Sequence, residues 1–495
     1  MSRRLALGAL LIVTLSAPAQ AWREEPLRPS APSMPNPAPA ELLSEQMADL
    51  SLVDAVFLGL RNNRSIKSAY LWRIADKFDL RVSEDAFNPK LYLSNSYRAS
   101  RGHADRQRAG QFGATATVLG EYGTVVSLGW SKFHSQADQA GWRRNDGVDF
   151  SIIQPLLRGA GRDVTTAPLR LAQLTEEANR LGLKAGISQT VAAIIFAYRE
   201  LLRAQEQLGI ARAALQRSQE LLSVNQAMIE AGRMAQFEVV QTEASLASQE
   251  LGVEEAANLV DSSRLELLRL LALDLSSPVR ATDALHAEAI EIDPSQAISL
   301  AERQQPDFLR QLIMRQQADI NLLVAKNQSL WDLSLEVGAN QARDRYGSTY
   351  GNGADRSWDS YAGIRLDIPI GDLSRRQGEV HARVNVEDQQ LQLADARQAL
   401  IRNVKDVIRD VSTRWRQYEI AQRGVELSRR KLAIERDKLA AGRSSNFQVL
   451  SFESDLQNAE NARLSTVIAY LNAQTQLDLT LGMTLESWDI ILNDH

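Results

Sequence analysis

The first side chains to consider for chemistry are the carboxylates and the five histidines, and the sequence contains no cysteine. The histidines are His103, His134, His286, His381 and His495. None of them pair at the spacing of an H-E-x-x-H zinc site, and no Walker A or G-x-S-x-G motif occurs. We therefore expect no enzymatic activity, no cofactor and no metal site.

Two further features match catalytic motifs only in part. Gly159-Ala160-Gly161 lacks the rest of a dinucleotide fingerprint and follows a strand that ends in proline. The many acidic residues that lie three or four positions apart are ordinary for solvent-exposed helices. An acid–base mechanism would also need a pocket, and the sequence does not predict one.

One longer stretch occurs twice. Residues 231–243 and 441–453 share Ala, Gly, Arg, Phe, Val and Glu at a constant offset of 210 residues. A helical pattern precedes and follows each copy, and glycine allows the left-handed turn that ends a helix. Each copy is therefore predicted to be the tip of a long helical hairpin, and the chain to consist of two tandem repeats.

The first repeat, residues 51–290, is predicted to contain strands at about 90–157 and a hairpin tip at 231–234. Alternating apolar and polar residues indicate the strands, and a period near 3.6 residues indicates the helices. The pattern of residues 112–135 leaves open whether this segment adds another hairpin.

The second repeat, residues 291–495, follows the same order, with strands at about 332–369 and a tip at 441–445. In each repeat the long helix is about as long as two shorter helices placed end to end. Apolar stripes at a spacing of 3.5 to 3.6 residues predict that these helices pack as coiled coils.

The N-terminus has the pattern of a secretory signal. Two arginines precede an apolar run from Leu5 to Leu15, and a small-x-small cleavage site follows. We expect residues 1–21 to be removed. The proline-rich residues 22–50 cannot form a helix and are predicted to be an extended surface strap.

Charge and hydropathy exclude other classes of protein. Residues 1–21 carry two arginines and no acid, so their removal takes the net charge from −5 to −7, which disfavours nucleic-acid binding. No run of 18 apolar residues follows the signal, which predicts no membrane-spanning helix. A β-barrel could still span a membrane, because its alternating pattern is weaker.

The strands need partners outside the chain. A hairpin with one apolar face is not stable alone in water, and two hairpins give about four strands. A membrane barrel needs at least eight strands and no open edge, so several copies would have to share one barrel. The alternative is a water-soluble β cap on a helical rod, which would be a periplasmic coiled-coil scaffold without a pore.

Taken together, these parts resemble the TolC-like outer-membrane efflux proteins, also called outer-membrane factors. The order and duplication of the motifs carry the resemblance rather than any single motif. The motifs are Ser51–Ala55 with Asn62-Asn63, the strand ends Gln154–Gly159 and Ile368–Gly371, the two Ala-Gly-Arg tips, and the helix ends at 271–273 and 481–483.

The resemblance implies a mainly α fold with β-strands and a homotrimeric assembly. Twelve strands would form one β-barrel in the outer membrane of a Gram-negative-type cell, and the helices would form an α-barrel across the periplasm. The protein would be a passive exit duct for tripartite efflux or type I secretion. Its partners would be outer-membrane lipid, a periplasmic adaptor and an inner-membrane transporter, with no nucleic acid.

The resemblance also assigns adaptor docking to the two tip turns, Gly232-Arg233 and Gly442-Arg443. The alternative for both turns is a glycine that ends a helix beside a solvated arginine.

A second assignment concerns the periplasmic aperture. In the family, two aspartates one turn apart after the second tip would form a cation-attracting ring in the trimer. This sequence has Gln448 and Ser451 at the corresponding positions, so that ring does not carry over. A ring built from Glu238 or Glu453 is a weaker hypothesis, and an ordinary acid on a helix surface is the alternative.

Overall fold

The computed structural model describes residues 48–102, 106–139, 141–348 and 351–492. The predicted signal peptide and nearly all of the predicted proline-rich strap lie outside these residues.

Two long helices, one in each half of the chain, position most of the other elements. The helices are α1 (Leu52–Asn62), α2 (Arg64–Glu84), α3 (Arg162–Thr165), α4 (Ala167–Glu230), α5 (Glu238–Leu271), α6 (Pro294–Gln304), α7 (Pro306–Gln328), α8 (Ser374–Ala440), α9 (Asn446–Leu481) and α10 (Thr484–Ser487). The first helix begins as predicted, because the Ser51 hydroxyl accepts a hydrogen bond from the Asp54 amide at 3.1 Å.

Each long helix packs beside three shorter helices of its own half. Helix α4 has 64 residues and contacts α1, α2 and α5, whereas α8 has 67 residues and contacts α6, α7 and α9. At 1.5 Å per residue, each long helix extends about 100 Å. The predicted leading helix of each half is divided in two, as α1 and α2 in the first half and α6 and α7 in the second, so each long helix lies beside three shorter helices instead of two.

Helix α4 also joins the two halves, because it contacts α7 and α9. Its side chains Ile187, Val191, Ile194 and Leu201 are at most 1% exposed. Burying side chains of this size contributes roughly 1.5–3 kcal/mol each. The apolar stripe of α4 is therefore a central part of the core.

The apolar composition of α4 qualifies it by length and hydropathy as a candidate membrane span, although the sequence predicts no such helix. Among the described residues, one helix, α4, contains an 18-residue window that is apolar enough to do so, with a mean hydropathy of 1.4. Within this fold 44% of that window is buried. A core helix has the same composition, so the window gives only weak support for a membrane span.

The strands are β1 (Ala48–Leu50), β2 (Lys90–Arg101), β3 (Arg106–Leu119), β4 (Val125–Ala137), β5 (Gly141–Pro155), β6 (Val279–Ala281), β7 (Asp332–Ser348) and β8 (Gly351–Asp367). Strands β1 and β6 pair with each other, and the other six form an antiparallel sheet in the order β2-β3-β4-β5-β7-β8.

The sheet has six strands, whereas the sequence predicts about four. The two additional strands are β3 and β4, which include the segment 112–135 that the pattern left open. Strand β3 is rich in Gly, Ala and Thr, so its alternation of apolar and polar residues is weak in the sequence. The first half of the chain therefore contributes four strands to the sheet, and the second half contributes two.

The two faces of the sheet differ in polarity, because alternate residues of a strand point to opposite sides. The polar face carries Ser94, Ser131, Asp149, Asn340 and Asp359. The apolar face carries Leu93, Ala114, Trp130, Val148 and Trp358, and the register places residues such as Trp130 and Val148 side by side.

All four connections between the sheet and the long helical part lie at one end of the sheet, because α2 and α7 lead into β2 and β7, and β5 and β8 lead back to helices. At this end the Asn327 side chain accepts from the Gly159 amide at 2.7 Å and donates to the Leu157 carbonyl at 3.2 Å. Arg158 also pairs with Asp332. These contacts fix the sheet to the helices.

The C-terminal ends of α5 and α9 lie 210 residues apart and adopt the same left-handed backbone conformation. The residue after α5 is Ala272, with φ 52°, and the residue after α9 is Gly482, with φ 78°. Only glycine adopts this conformation without steric cost. The predicted match between these helix ends is thus visible in the backbone.

The two helix ends predict opposite responses to exchange of alanine and glycine. Ala272→Gly should raise the free energy of unfolding by about 0.5–1 kcal/mol, because it removes left-handed strain. Gly482→Ala should lower it by at least about 1 kcal/mol, because a Cβ there would lie 2.5 Å from the Gln304 carbonyl oxygen. Thermal unfolding followed by circular dichroism measures both changes, and destabilisation by Ala272→Gly would contradict the assigned strain.

Candidate functional site

The two hairpin tips have the same backbone geometry. Gly232 and Gly442 have φ values of 71° and 68°, and their amides donate to carbonyls of the preceding helical turn at 2.8 and 2.9 Å. The amides of Arg233 and Arg443 each donate to a carbonyl five residues earlier at 2.8 Å. This hydrogen-bond pattern is typical of a helix that ends at a glycine in the left-handed conformation. Nothing lies within 4 Å of a Cβ built at either glycine, so conformation rather than crowding requires glycine.

The tips present both charged and apolar side chains. Arg233 and Arg443 are exposed, as docking residues must be. Phe237 is 73% exposed and Phe447 is 65% exposed, and these two residues also lie 210 positions apart. The resemblance assigned docking to the arginines but not to the phenylalanines. The recurrence of a large apolar residue beside each tip was the signal that could have identified them.

A buried polar cluster connects the first tip to the second. Asn225 of α4, Thr242 of α5 and Asn446 of α9 are each at most 1% exposed. The Asn225 amide donates to the Thr242 hydroxyl and to the Asn446 side-chain oxygen, both at 2.8 Å. The Asn446 amide donates to Thr242 at 2.9 Å and to the Glu238 carbonyl at 3.2 Å. Three helices are thus held together where the two hairpins meet.

The second tip contains a further polar contact. Ser444 and Lys438 both donate to the Glu435 carboxylate, and these hydrogen bonds hold the pKa of Glu435 below its ordinary value. A depressed carboxyl pKa stabilises the fold above the ordinary pKa, and that contribution is lost as the pH falls through the depressed value. The turn is therefore fully stabilised at neutral pH.

Three of the four aperture candidates lie in the first turn of α5 and the first two turns of α9. Glu238 is the first residue of α5, is half-buried, and has no ion pair among the described residues. Gln448 is half-buried, and its backbone amide donates to the Ser445 hydroxyl that caps α9. Ser451 is exposed. The three residues lie near the tips, and their role at an aperture stays a prediction.

Glu453 lies in a different environment. Its side chain is 11% exposed and pairs with Arg217 of α4 at 2.8 Å and with Arg436 of α8. Both carboxylate oxygens are therefore neutralised inside one chain. This geometry favours a role in joining α4, α8 and α9 over a role as a free charge at an aperture.

The other candidate residues form no shared site. His134 lies on β4, His286 lies 3.2 Å from Glu288 in a loop, and His381 lies on α8. His103 and His495 are outside the described residues. Within the described part of the chain, no group of three His, Cys, Asp or Glu residues could hold a metal ion.

The C-terminal part of the sequence matches a known family. Residues 297–483 match the family model of the outer membrane efflux proteins. No curated protein matches the sequence. The outer-membrane location predicted from the sequence agrees with the description of this family.

Solved structures share the fold along most of the chain. The Campylobacter jejuni CmeC outer membrane channel is 16% identical, with a TM-score of 0.66 and coverage of 88% of this chain and 86% of that chain. The Vibrio cholerae outer membrane protein VceC is 15% identical, with a TM-score of 0.65 and coverage of 87% and 96%. The Neisseria gonorrhoeae MtrE outer membrane channel is 16% identical, with a TM-score of 0.66 and coverage of 88% and 89%. The predicted fold and the resemblance to TolC-like efflux proteins are confirmed.

The polar cluster at the tips predicts a local effect of mutation. Asn446→Ala removes the hydrogen bonds that the Asn446 side chain donates to the Thr242 hydroxyl and to the Glu238 carbonyl. This loss should lower the free energy of unfolding by about 1–3 kcal/mol. We expect faster amide hydrogen exchange at both tips. Asn458→Ala is the matched control, because Asn458 is exposed on the same helix. Equal exchange in the two variants would show that the cluster does not hold the tips together.

Proposed function

We propose that this chain, of which residues 297–483 match the outer membrane efflux proteins, is the exit duct of a tripartite efflux or type I secretion system. Three copies share one β-barrel in the outer membrane, and their helices form an α-barrel that extends into the periplasm. An inner-membrane transporter supplies the energy and a periplasmic adaptor connects the two. The duct itself is passive and catalyses no reaction.

The observation that carries this proposal is the pair of open sheet edges. Strands β2 and β8 lie at the two edges of the six-stranded sheet. All 12 residues of β2 are exposed, as are all but one of the 17 described β8 positions. Unpaired backbone groups beside an apolar face cannot remain in lipid. Pairing of β2 with β8 of a second copy satisfies both edges.

The strand directions suit this pairing. Strand β2 leaves the helical end of the sheet and β8 returns to it, so the two would be antiparallel across a subunit boundary. Six strands from each of three copies give an eighteen-stranded barrel, instead of the twelve strands expected from the sequence. At a strand spacing of 4.8 Å and a tilt near 40°, such a barrel would be about 35 Å wide.

Adaptor docking at the tips is supported by their exposed side chains. Arg233 and Arg443 provide charge, while Phe237 and Phe447 provide apolar surface. Arginine and aromatic residues dominate the binding free energy of many protein interfaces. The two tips present this combination with matched backbone geometry, so one adaptor surface could bind either tip.

The aperture is proposed to lack the carboxylate ring of the family. Gln448 and Ser451 lie one turn apart on α9 beyond the second tip, and neither carries charge. Glu453 is neutralised by two arginines. Glu238 is the remaining acid that could face the axis, so cations should bind weakly at this aperture.

The shared barrel predicts covalent linkage between subunits through introduced cysteines. The chain has no cysteine of its own, so Ser360→Cys on β8 can be combined with a cysteine at Leu91, Leu93, Asn95 or Tyr97 on the same face of β2. We expect at least one combination to give a covalent trimer on a non-reducing gel. Failure of all four combinations would contradict pairing between edge strands.

Two controls complete this experiment. Ser360→Cys with Ala116→Cys places the second cysteine on the interior strand β3, so it should give no covalent trimer. Conductance across a planar bilayer then separates the duct from the alternative of a periplasmic scaffold. A scaffold without a pore would give no conductance.

The docking role predicts loss of export when the tip charges are reversed. Arg233→Glu with Arg443→Glu should abolish adaptor binding and export and leave the trimer and its conductance intact, because both residues are exposed. Phe237→Ser with Phe447→Ser should act in the same way. Pull-down with the adaptor and an export assay measure the two effects.

Arg212→Glu with Arg423→Glu is the matched control. These arginines are also exposed on α4 and α8, but they lie about 30 Å from the tips at 1.5 Å per residue. This variant should retain export. Equal loss in the control and the tip variants would remove the specific role of the tips.

A further inference from the structure

The apolar face of the sheet changes character toward the end that is distant from the helices. Eight cationic side chains lie on this distal half, and all of them are exposed. They are Arg101, Arg106, Arg108, Lys132, Arg144, Arg343, Arg345 and Arg356. We call this set the arginine belt.

The strand register places several belt residues directly opposite one another. Arg101 lies opposite Arg106, Arg144 opposite Arg345, and Arg343 opposite Arg356. Opposite residues on one face of a sheet have Cβ atoms about 5 Å apart, and like charges in these positions are destabilising. Three such repulsive pairs in one sheet indicate that an anion outside the chain offsets the charge.

On the polar face of the same sheet, two arginines form ion pairs with acidic residues. There, Arg143 donates twice to Asp344, with one bond at 3.1 Å. On the same face Arg365 pairs with Glu336 at 3.0 Å. Two arginines on the polar face therefore have acidic partners within the chain, whereas Arg98 on β2 is exposed and has none among the described residues.

Belt residues have no such partners among the described residues. The Arg356 Nε donates to the Gln341 amide oxygen at 2.9 Å, with the amide oriented to accept. Arg144 lies over the Trp142 ring at 5.3 Å.

One acid does lie within the belt: the register places Asp146 on the same face, directly opposite Lys132 and Arg343. Neither Asp146 nor Asp138 of the β4–β5 turn forms an ion pair with a belt residue in this part of the chain, and eight cations face this single acid of the described strands. The belt therefore keeps a large uncompensated positive charge.

The position of the belt matches that of a lipid headgroup layer. Below it, the apolar face extends from Leu366 to Trp358 on β8. These nine residues span about 26 Å along the strand, or about 20 Å along the membrane normal. Trp130 and Trp358 form the upper rim of this apolar band and are 42% and 68% exposed. Aromatic residues mark the interface of a membrane barrel, so the belt lies at the level of the phosphates.

We propose that the arginine belt binds the phosphorylated headgroups of an anionic lipid in the outer leaflet of the outer membrane. The inference rests on the proposed function, because that function places the helices in the periplasm and the distal half of the sheet in the outer leaflet. Guanidinium groups bind phosphate with two parallel hydrogen bonds. Paired arginines on neighbouring strands suit a headgroup that carries more than one phosphate.

The test uses the full-length protein purified in detergent, with diphosphorylated lipid A and dephosphorylated lipid A as probes. The diphosphorylated form should raise the midpoint of thermal unfolding, and the dephosphorylated form should not. Arg343→Gln with Arg345→Gln and Arg356→Gln should weaken lipid A binding at least tenfold. Without lipid, this variant should unfold at the same or a higher temperature than the wild type, because it removes repulsive pairs.

Arg143→Gln with Arg365→Gln is the control, because it removes the same kind of charge from the polar face. This variant should bind lipid A as the wild type does. Equal binding by the belt variant and the wild type would overturn the proposal. Competition by inorganic phosphate at the concentration of lipid A would also overturn it, because the belt would then recognise free anions.

The failure of this proposal can be distinguished from failure of the proposed function. If subunits cross-link as a trimer and conduct ions but the belt variant binds lipid A normally, only the lipid assignment is lost. If no trimer or conductance is found, the outer-membrane duct itself is contradicted.

Discussion

The constraint on which the structure depends is that a backbone N–H or C=O group must have a hydrogen-bond partner wherever water is absent. Inside the sheet, each strand satisfies its neighbour, but β2 and β8 leave their outer edges open. The helices have no such requirement, because their backbone bonds are internal. In the proposed barrel, the sheet is therefore the part that requires several copies to assemble, and the helices are brought together because they are attached to one end of it.

The helical part and the sheet use charge in different ways. In the helices, the carboxylate of Glu453 is paired within the chain, with Arg217 and Arg436. On the distal half of the apolar face, arginines lie opposite arginines instead. Pairing inside the chain makes a rigid support, whereas unpaired charge at a surface makes a binding site. The same residue type thus has a structural role in one region and a proposed recognition role in another.

Much of the fold could be predicted from the sequence, because duplication showed each feature twice. The glycines of both tips, the helix ends at 272 and 482, and the length of the rods follow from local rules of helix termination. Strand β3 could not be predicted with the same clarity, since its Gly, Ala and Thr residues have weak alternation. The pairing of Glu453 was also hidden, because its partners lie 236 and 17 residues away. Contacts between distant segments depend on packing rather than on local pattern.

The unequal division of the sheet has a consequence for symmetry. The helices of the two repeats are alike, so a ring of three chains would have nearly sixfold symmetry at its helical end. The first repeat contributes four strands and the second contributes two, so the ring at the sheet end can have only threefold symmetry. The change from pseudo-sixfold to threefold order must therefore occur where the strands meet the helices.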